Sequence, residues 1–278
     1  MTEPPHQAPE DAVPPASALH YLARALLFPL LLWQAAVARR DTPRLPEASG
    51  ERMGVVGDGE IGLRILIVGD SSAAGVGADT QDEALAKQLA VELAKSGRGA
   101  VGWQVVARSG ISVQSALAMM ASVQLLPADV LVTVLGVNDV IERTRPGDWL
   151  RGLDAIHNHA RWRAGVNHTV HCAPPRVDLM PIFPQPLRWV LGGVAARLDT
   201  ALKGRLRGGR RRTRFALPFD PRVETPSDWL ASDGFHPNAL LYRRWAEALA
   251  THIDVDLSHE PQANAVRPSG FSGFDTLR

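Results

Sequence analysis

Cysteine is nearly absent from this chain of 278 residues, which contains only Cys172. An intramolecular disulfide is therefore excluded, and so is a cysteine-rich metal site. Net charge is also close to zero, because 30 basic residues balance 29 acidic ones to a formal charge of +1. A chain so balanced projects no strong field toward nucleic acid or acidic lipid, and any charged partner must be recognised locally. We expect no nucleic-acid partner and no need for an oxidising compartment.

The chain also lacks an apolar run of the roughly 20 residues that a membrane-spanning helix needs. Its longest such run covers residues 25–37 and is flanked by Arg24 and Arg39. A secretory signal would carry a basic segment before its apolar core, whereas this chain begins acidic. The stretch that starts at Leu26 and ends at Trp33 predicts either a helix packed against the domain or an interfacial anchor in peripheral contact with a membrane. We expect a cytoplasmic protein, with membrane association left open.

Signatures of cofactors are missing as well. Two Gly-x-Gly-x-x-Gly matches, at residues 57–62 and 97–102, precede strand-like segments, whereas a dinucleotide site would follow one. Four histidines lack the spacing and the accompanying carboxylates of a zinc site, and we expect them on the surface and in strands. These are His157, His159, His168 and His171. We expect neither a metal nor another cofactor.

Composition and pattern divide the chain into five segments. Residues 1–17 are rich in proline and acid and predict a disordered tail. Residues 18–40 predict the apolar helix, and residues 41–60, with proline and glycine, predict a linker. Residues 61–257 have the alternating patterns of one globular domain. Residues 258–278 have no periodic pattern and predict a second disordered tail.

Within the domain, short β-rich runs alternate with longer helical patterns, as is typical of βαβ units. The predicted strands cover residues 63–68, 103–107, 130–135, 166–172 and 214–217. The clearest predicted helices cover residues 83–95, 113–123, 146–160 and 240–253. Right-handed crossovers would place helices on both faces of a parallel sheet. The fold class is therefore α/β, as a three-layer α/β/α sandwich.

Polar motifs occur where predicted strands end and just before the last helix. They are Gly69-Asp70-Ser71, Ser109-Gly110, Gly136-Val137-Asn138-Asp139 and Asp233-Gly234-Phe235-His236. The carboxyl ends of parallel strands meet at one edge of an open sheet, where ligands bind. We therefore expect these motifs to meet in space.

Their residue types suit nucleophilic catalysis. A serine hydroxyl needs a base to remove its proton, and the base needs a partner to orient it. Ser71, His236 and Asp233 fit these jobs. The oxyanion of a tetrahedral intermediate needs donors, which the backbone N–H groups of Ser71 and Gly110 and the amide of Asn138 could supply.

Together the motifs resemble, in identity and order, the four conserved blocks of the SGNH hydrolases, the GDSL-type lipases and esterases. The resemblance covers residues 63–253 and implies a flavodoxin-like five-stranded parallel sheet. It makes Ser71 the nucleophile, Gly110 and Asn138 the oxyanion donors, and His236 the base held by Asp233. Members hydrolyse carboxylic esters, and sometimes thioesters or sugar acetates.

The two remaining aspartates of the motifs, Asp70 and Asp139, are interpreted as turn residues that satisfy local backbone N–H groups. Ser72 stands where the family name has leucine, at a position that varies within the family, and this departure does not threaten the mechanism.

Five prolines between residues 173 and 187 predict a rigid loop on the same side of the sheet as Ser71. Met180, Ile182 and Phe183 are candidate lining residues for an acyl group, and a capping loop without substrate contact is the alternative.

One concentrated positive patch occurs, and a solvated loop is favoured over a site for nucleic acid or anionic lipid because no aromatic residues are interleaved. It consists of Arg205, Arg207, Arg210, Arg211, Arg212 and Arg214.

The leading hypothesis is a metal-independent serine hydrolase that acts on a small ester with an acyl or lipid-like group. An acyltransferase that uses the same site is the first alternative. A non-catalytic binding protein at a membrane surface is the second.

Overall fold

The computed structural model describes residues 18–217 and 225–258. The predicted disordered tails cover residues 1–17 and 258–278, which lie outside the described part of the chain except for Ser258, the last residue of a helix. Two compact units are present, one ending at Asp41 and the other beginning at Thr42.

The first unit contains the helix Ala18–Asp41 (α1), which has Pro29 in its interior and Arg39 and Arg40 in its last turn. The apolar segment of residues 18–40 is therefore helical, as expected. Among the helices described, none is long and apolar enough to cross a membrane.

The second unit contains a six-stranded sheet and seven α-helices within the described residues. The strands are Met53–Val56 (β1), Ile61–Gly69 (β2), Ala100–Ala107 (β3), Val130–Val134 (β4), His168–Cys172 (β5) and Arg212–Phe215 (β6). The helices are Leu85–Ala94 (α2), Val113–Ala121 (α3), Val137–Glu142 (α4), Pro146–Ala164 (α5), Leu187–Leu206 (α6), Pro226–Trp229 (α7) and Ala239–Ser258 (α8).

The sheet has the order β1-β3-β2-β4-β5-β6, and β2 to β6 pair in parallel. The expected parallel strands are all present. The sixth strand, β1, is antiparallel to β3 and lies at the edge of the sheet. It falls inside residues 41–60, so the prediction of a linker there is wrong. Four residues between glycines have too little pattern to indicate a strand, and pairing with the open edge of β3 makes them one.

Helices cover both faces of the sheet, which gives the predicted α/β/α sandwich. On one face α2 packs against α8, and the core includes Leu89 and Leu249 from these helices with Ile65 and Val132 from the sheet. On the other face α3 packs against α5, and α5 packs against α6. Because βαβ crossovers return the chain to the start of the next strand, the loops after the parallel strands β2 to β6 emerge at one edge.

Side chains set several of these boundaries. Pro146 occupies the first turn of α5, where a backbone N–H would have no partner within the helix. The side-chain oxygen of Asn238 accepts a hydrogen bond of 3.0 Å from the backbone N–H of Leu241 and caps α8 directly after His236.

The end of the sheet departs from the predictions at the arginine run. The strand β6 begins at Arg212, two residues earlier than the predicted strand. Arg212 and Arg214 therefore lie in a strand and not in a solvated loop. Their guanidinium groups form ion pairs with Asp154 on α5 and with Asp199 on α6. Half-buried arginines can occupy this strand because each has a carboxylate partner.

Candidate active site

Three neighbouring strands end at the same level: the central strand β2, with β3 on one side and β4 on the other. Gly69, the last residue of β2, is paired with Ala107 of β3 on one side and with Val134 of β4 on the other. Two backbone hydrogen bonds continue this pairing just past the strand ends. The Asp70 N–H donates to the carbonyl of Val134 (3.1 Å), and the Arg108 N–H donates to the carbonyl of Gly69 (3.3 Å). Three of the four motifs therefore begin side by side, with Ser71 in the middle.

The turn that presents Ser71 requires glycine before it. A Cβ at Gly69 would lie 2.5 Å from both the Cβ of Ala73 and the carbonyl oxygen of Val134. The carbonyl of Ser71 then accepts a hydrogen bond of 3.0 Å from the Val76 N–H. These contacts hold the serine at the carboxyl edge of the sheet.

The fourth motif meets Ser71 there. The Oγ of Ser71 lies 2.8 Å from Nε2 of His236, and Nδ1 of His236 lies 2.6 Å from Oδ2 of Asp233. A carboxylate only accepts, so Nδ1 carries the proton and Nε2 is left to accept the serine O–H. The arrangement can draw a proton from Ser71 and stabilise the imidazolium that results.

Asp233 is held as a carboxylate. Its other oxygen accepts hydrogen bonds from the backbone N–H groups of Phe235 (2.9 Å) and His236 (3.0 Å). Burial favours the neutral acid, but the hydrogen bonds from the His236 side chain and from these two N–H groups outweigh it and lower the pKa of Asp233 below its usual value. Asp233 therefore remains charged opposite the imidazole.

A glycine and a tyrosine that no motif indicated join the segment after His236 to the loop after Ser71. Gly77, at φ +96°, lies against Pro237, and a Cβ there would be 2.2 Å from the Pro237 carbonyl oxygen. The hydroxyl of Tyr242 on α8 donates to the carbonyl of Val76 (2.7 Å). The segment after His236 thus packs directly on the loop after Ser71.

The predicted oxyanion donors flank Ser71. Gly110 adopts φ +77°, and the space where a Cβ would project is open. Asn138 lies in the first turn of α4, where its side-chain amide donates 2.9 Å to the carbonyl of Ile111, the residue after Gly110. One amide N–H of Asn138 is used in this contact, which ties the two predicted donors to each other.

The buried aspartates of the motifs have different roles. Asp70 accepts from the Ser72 N–H (3.1 Å), as a local turn residue would. Asp139 instead accepts from the Val113 N–H at the start of α3 (3.2 Å), so the interpretation as a local turn residue is wrong for Asp139. Burial raises the pKa of Asp70 to about 7, and it raises that of Asp139 to about 6.

Of the predicted lining residues, Phe183 approaches His236 through Phe235. Its ring meets Phe235 edge to face at 5.8 Å, and Phe235 meets His236 in the same way at 4.8 Å. Met180 and Ile182 are half-buried, and no described contact joins either to Ser71 or His236.

The histidines outside the site are mostly interior. His168 and His171 lie in β5 as expected, whereas His157 is buried on α5 and is not a surface residue. Burial and the nearby Arg212 lower the pKa of His171 to about 3 and that of His157 to about 4. Within the described residues, no group of three histidine, cysteine or acidic side chains could hold a metal ion.

Sequence reasoning also missed two contacts from the segment between α1 and β1. Glu47 accepts a hydrogen bond from the Ser109 N–H (2.6 Å), and Arg52 donates to the Ala107 carbonyl (2.7 Å). No sequence signal marked them, because both residues lie in a segment without hydrophobic periodicity.

A three-layer α/β/α fold with a serine, a histidine and an aspartate hydrogen-bonded at the carboxyl edge of its sheet defines a hydrolase of the SGNH type. The chain belongs to the GDSL-like lipase/acylhydrolase family, whose sequence profile matches residues 67–244, more than half of its length. It is accordingly an ester-hydrolysing enzyme. No protein with a curated functional description matches the chain.

Solved structures share the fold. The lipase Lip_vut3 from a goat rumen metagenome superposes with a TM-score of 0.54 at 16% identity, over 68% of this chain and 96% of that one. A carbohydrate esterase family 2 enzyme with a carbohydrate-binding domain, from Corynascus thermopiles, superposes with a TM-score of 0.51 at 16% identity. That match covers 73% of this chain and 69% of the other. At such low identity these likenesses concern the fold alone.

Proposed function

We propose that the chain is a serine hydrolase that cleaves carboxylic esters through an acyl-enzyme on Ser71. The observation that carries the proposal is the continuous hydrogen-bonded series from Ser71 Oγ through the His236 ring to Asp233, at 2.8 and 2.6 Å. In this assignment His236 is the general base and Asp233 orients its ring.

In the acylation step, Oγ attacks the ester carbonyl carbon while Nε2 of His236 takes the hydroxyl proton. The tetrahedral oxyanion would be met by the backbone N–H groups of Ser71 and Gly110 and by the free amide hydrogen of Asn138. Collapse breaks the bond to the leaving alcohol, which receives the proton from His236. The products of this half-reaction are the alcohol and an ester of Ser71.

In the second half-reaction, His236 takes a proton from water as the water oxygen attacks the acyl-enzyme. Collapse breaks the bond to Ser71 Oγ, which receives the proton back from His236, and the acid is released. A sugar or lipid hydroxyl in place of water would make the enzyme an acyltransferase. The two outcomes share every residue of the site, so product analysis with an acceptor alcohol present separates them.

For the substrate, we propose an ester with an apolar acyl group. Phe183 and Phe235 stack toward His236 and form an aromatic wall beside the reacting centre. Met180 and Ile182 come from the same proline-rich loop and would extend this wall. Shortening the wall with Phe183→Ala should reduce the rate more for long acyl chains than for acetate.

The test is hydrolysis of p-nitrophenyl esters, from acetate to decanoate, with a chelator present. Wild type, Ser71→Ala and the neighbouring control Ser72→Ala are compared. We expect turnover that is lost in Ser71→Ala and retained in Ser72→Ala. Equal activity of wild type and Ser71→Ala would refute the nucleophile, and an inactive wild type would favour the binding-protein or acyltransferase alternative.

We further propose that α1 places the enzyme on an anionic membrane surface. Four large apolar side chains of this helix are exposed: Phe28 at 47%, Leu30 at 39%, Leu32 at 52% and Trp33 at 63%. The exposed Arg39 and Arg40 follow them toward the end of the helix, as in helices that lie in the lipid interface.

Co-sedimentation with phosphatidylserine and phosphatidylcholine vesicles tests this contact. Binding should favour the anionic vesicles and weaken in Trp33→Ala. The control is Trp162→Ala, which removes a tryptophan that is 78% exposed on α5. Equal binding by both variants would overturn the proposal.

A further inference from the structure

The segment just before β1 forms hydrogen bonds with the chain next to Gly110, which is called the Gly110 loop below. One carboxylate oxygen of Glu47 accepts from the Ser109 N–H at 2.6 Å. The other accepts from the Arg52 guanidinium at 2.5 Å, and the same guanidinium donates to the Ala107 carbonyl at 2.7 Å. The Glu47–Arg52 pair therefore holds two backbone groups, an N–H and a carbonyl, on the turn immediately before Gly110.

The pair is itself anchored to the sheet. The carbonyl of Arg52 accepts from the Val105 N–H (2.7 Å), next to the pairing of Met53 with Gln104 that begins β1. Arg52 thus starts from a fixed position on the edge of β3. Burial favours a neutral Glu47, but the hydrogen bonds from Ser109 and Arg52 outweigh it and lower its pKa, so the carboxylate is charged.

The same segment also contacts the loop that follows Ser71. The Ala48 N–H donates to the Ala74 carbonyl (3.2 Å). The buried side-chain amide of Gln81 donates to the carbonyls of both Ala48 (3.2 Å) and Ala74 (3.1 Å). Residues 47–52 therefore bridge the nucleophile loop and the Gly110 loop from outside the sheet.

We infer that Glu47 and Arg52 are positioning residues that set the Gly110 N–H at the oxyanion. This inference rests on the proposed function and extends it to residues that the family match does not include.

The physical reason is preorganisation. A backbone donor contributes to catalysis when it already points at the developing charge, and small misplacements are costly. Gly110 has a positive φ and no side chain to hold it. On its far side the loop is tied by the contact of Asn138 with Ile111 and by that of Asp139 with Val113. On its near side the backbone N–H of Arg108 donates to Gly69. The support that lies nearest to Gly110 on this side is the charge-assisted hydrogen bond from the Ser109 N–H to Glu47.

The experiment compares Glu47→Ala and Glu47→Gln with Arg98→Ala in the full chain. Arg98 pairs with Asp254, and the side-chain exposures of that pair, 34% and 29%, equal those of Arg52 and Glu47. Arg98 precedes β3 and so lies at the edge of the sheet opposite the site. Removal of either pair should change stability by a similar amount. Glu47 contacts the Gly110 loop, whereas the described partner of Arg98 is Asp254 on α8.

Two readouts are used. For hydrolysis, we expect kcat of Glu47→Ala to fall about 10-fold, less than the 100- to 1000-fold typical of losing a whole oxyanion donor, with KM within about twofold. Glu47→Gln keeps an acceptor for the Ser109 N–H and should recover part of the rate. For amide hydrogen exchange, the peptide of residues 110–113 should exchange faster in Glu47→Ala than in Arg98→Ala.

The readouts separate the two proposals. The exchange measurement needs no substrate, so it tests the positioning of the loop whether or not the wild type hydrolyses esters. If Glu47→Ala matches Arg98→Ala in exchange, or in kcat where wild type turns over, the inference is overturned and the serine mechanism is untouched. Absence of turnover that depends on Ser71 in the wild type counts against the proposed function alone.

Discussion

The Tyr242 hydroxyl and the Val76 carbonyl are joined by a hydrogen bond of 2.7 Å inside the protein, where the tyrosine side chain has no exposed surface. Val76 also donates its N–H to the carbonyl of Ser71. Val76 thus connects the turn that carries Ser71 to α8, the helix that begins at Ala239, shortly after His236. We therefore expect the separation between Ser71 and His236 to depend on this connection as well as on their own hydrogen bond.

Tyr242→Phe should lower stability and rate together. Loss of the hydroxyl leaves the buried carbonyl of Val76 without that donor, which costs about 1–3 kcal/mol. We expect a decrease of this size in the free energy of unfolding in urea, and a severalfold fall in kcat. Unchanged kcat in a destabilised variant would show that Tyr242 supports the fold without setting the distance between Ser71 and His236.

Gly77→Ala should be more damaging than Gly97→Ala. Both glycines have positive φ, +96° and +75°, so alanine is strained at either position. A Cβ at Gly77 would also meet the Pro237 carbonyl at 2.2 Å, whereas the space at Gly97 is open. Overpacking adds about 1–3 kcal/mol at Gly77. Thermal unfolding and ester hydrolysis check this, and equal losses in the two variants would contradict it.

Asp233→Asn should abolish most activity without unfolding the protein. An asparagine side chain can donate to Nδ1 of His236, which would place the ring proton on Nε2 and leave no acceptor for Ser71. We expect a fall in kcat on the order of 1000- to 10,000-fold, as in other serine triads. The measurement is kcat at the pH of maximal rate, with the circular dichroism spectrum as control. A loss smaller than tenfold would remove Asp233 from the mechanism.

Asp70→Asn should make stability less dependent on pH. Burial raises the Asp70 pKa from 3.8 to about 7, so the folded state binds this proton more tightly than the unfolded state. Stability from this group is therefore present at low pH and is lost as the pH rises through that window. Each pKa unit is worth about 1.4 kcal/mol, so the wild type should lose at least about 1 kcal/mol more than Asp70→Asn between pH 5 and 7.5.

Urea unfolding at the two pH values measures this difference. The exposed Asp79→Asn is the control and should follow the wild type. If Asp70→Asn also follows the wild type, Asp70 does not titrate in this range.

Much of the fold was predictable because its signals are local. The apolar runs that end at Gly69, Ala107 and Val134 are short and rich in β-branched residues, which indicates buried strands, and the glycine and polar residues that follow mark where they stop. The contact between Ser71 and His236 could be predicted only from the identity and order of the motifs, because the two residues are far apart along the chain. A parallel sheet brings the strand ends together at one edge, and this is where the two residues meet.

The missed features depend on tertiary partners. The segment Met53–Val56 is a strand because β3 offers it an edge, and Asp139 caps α3 because that helix begins beside α4. Glu47 and Arg52 have no distinguishing pattern in the sequence, and their contact with the Gly110 loop exists only in the folded chain. Features of this kind cannot be predicted from the sequence unless the partner in the folded chain is already known.

The position of the Glu47–Arg52 pair, upstream of the matched residues 67–244, also bears on how such an enzyme can change during evolution. Substitutions in this upstream segment could adjust the turnover of the enzyme while every residue of its four motifs stays the same. Two descendants with identical motifs could then differ in rate. Conversely, residues 67–244 transplanted into another chain would carry the whole catalytic signature and leave behind the contacts that hold Ser109.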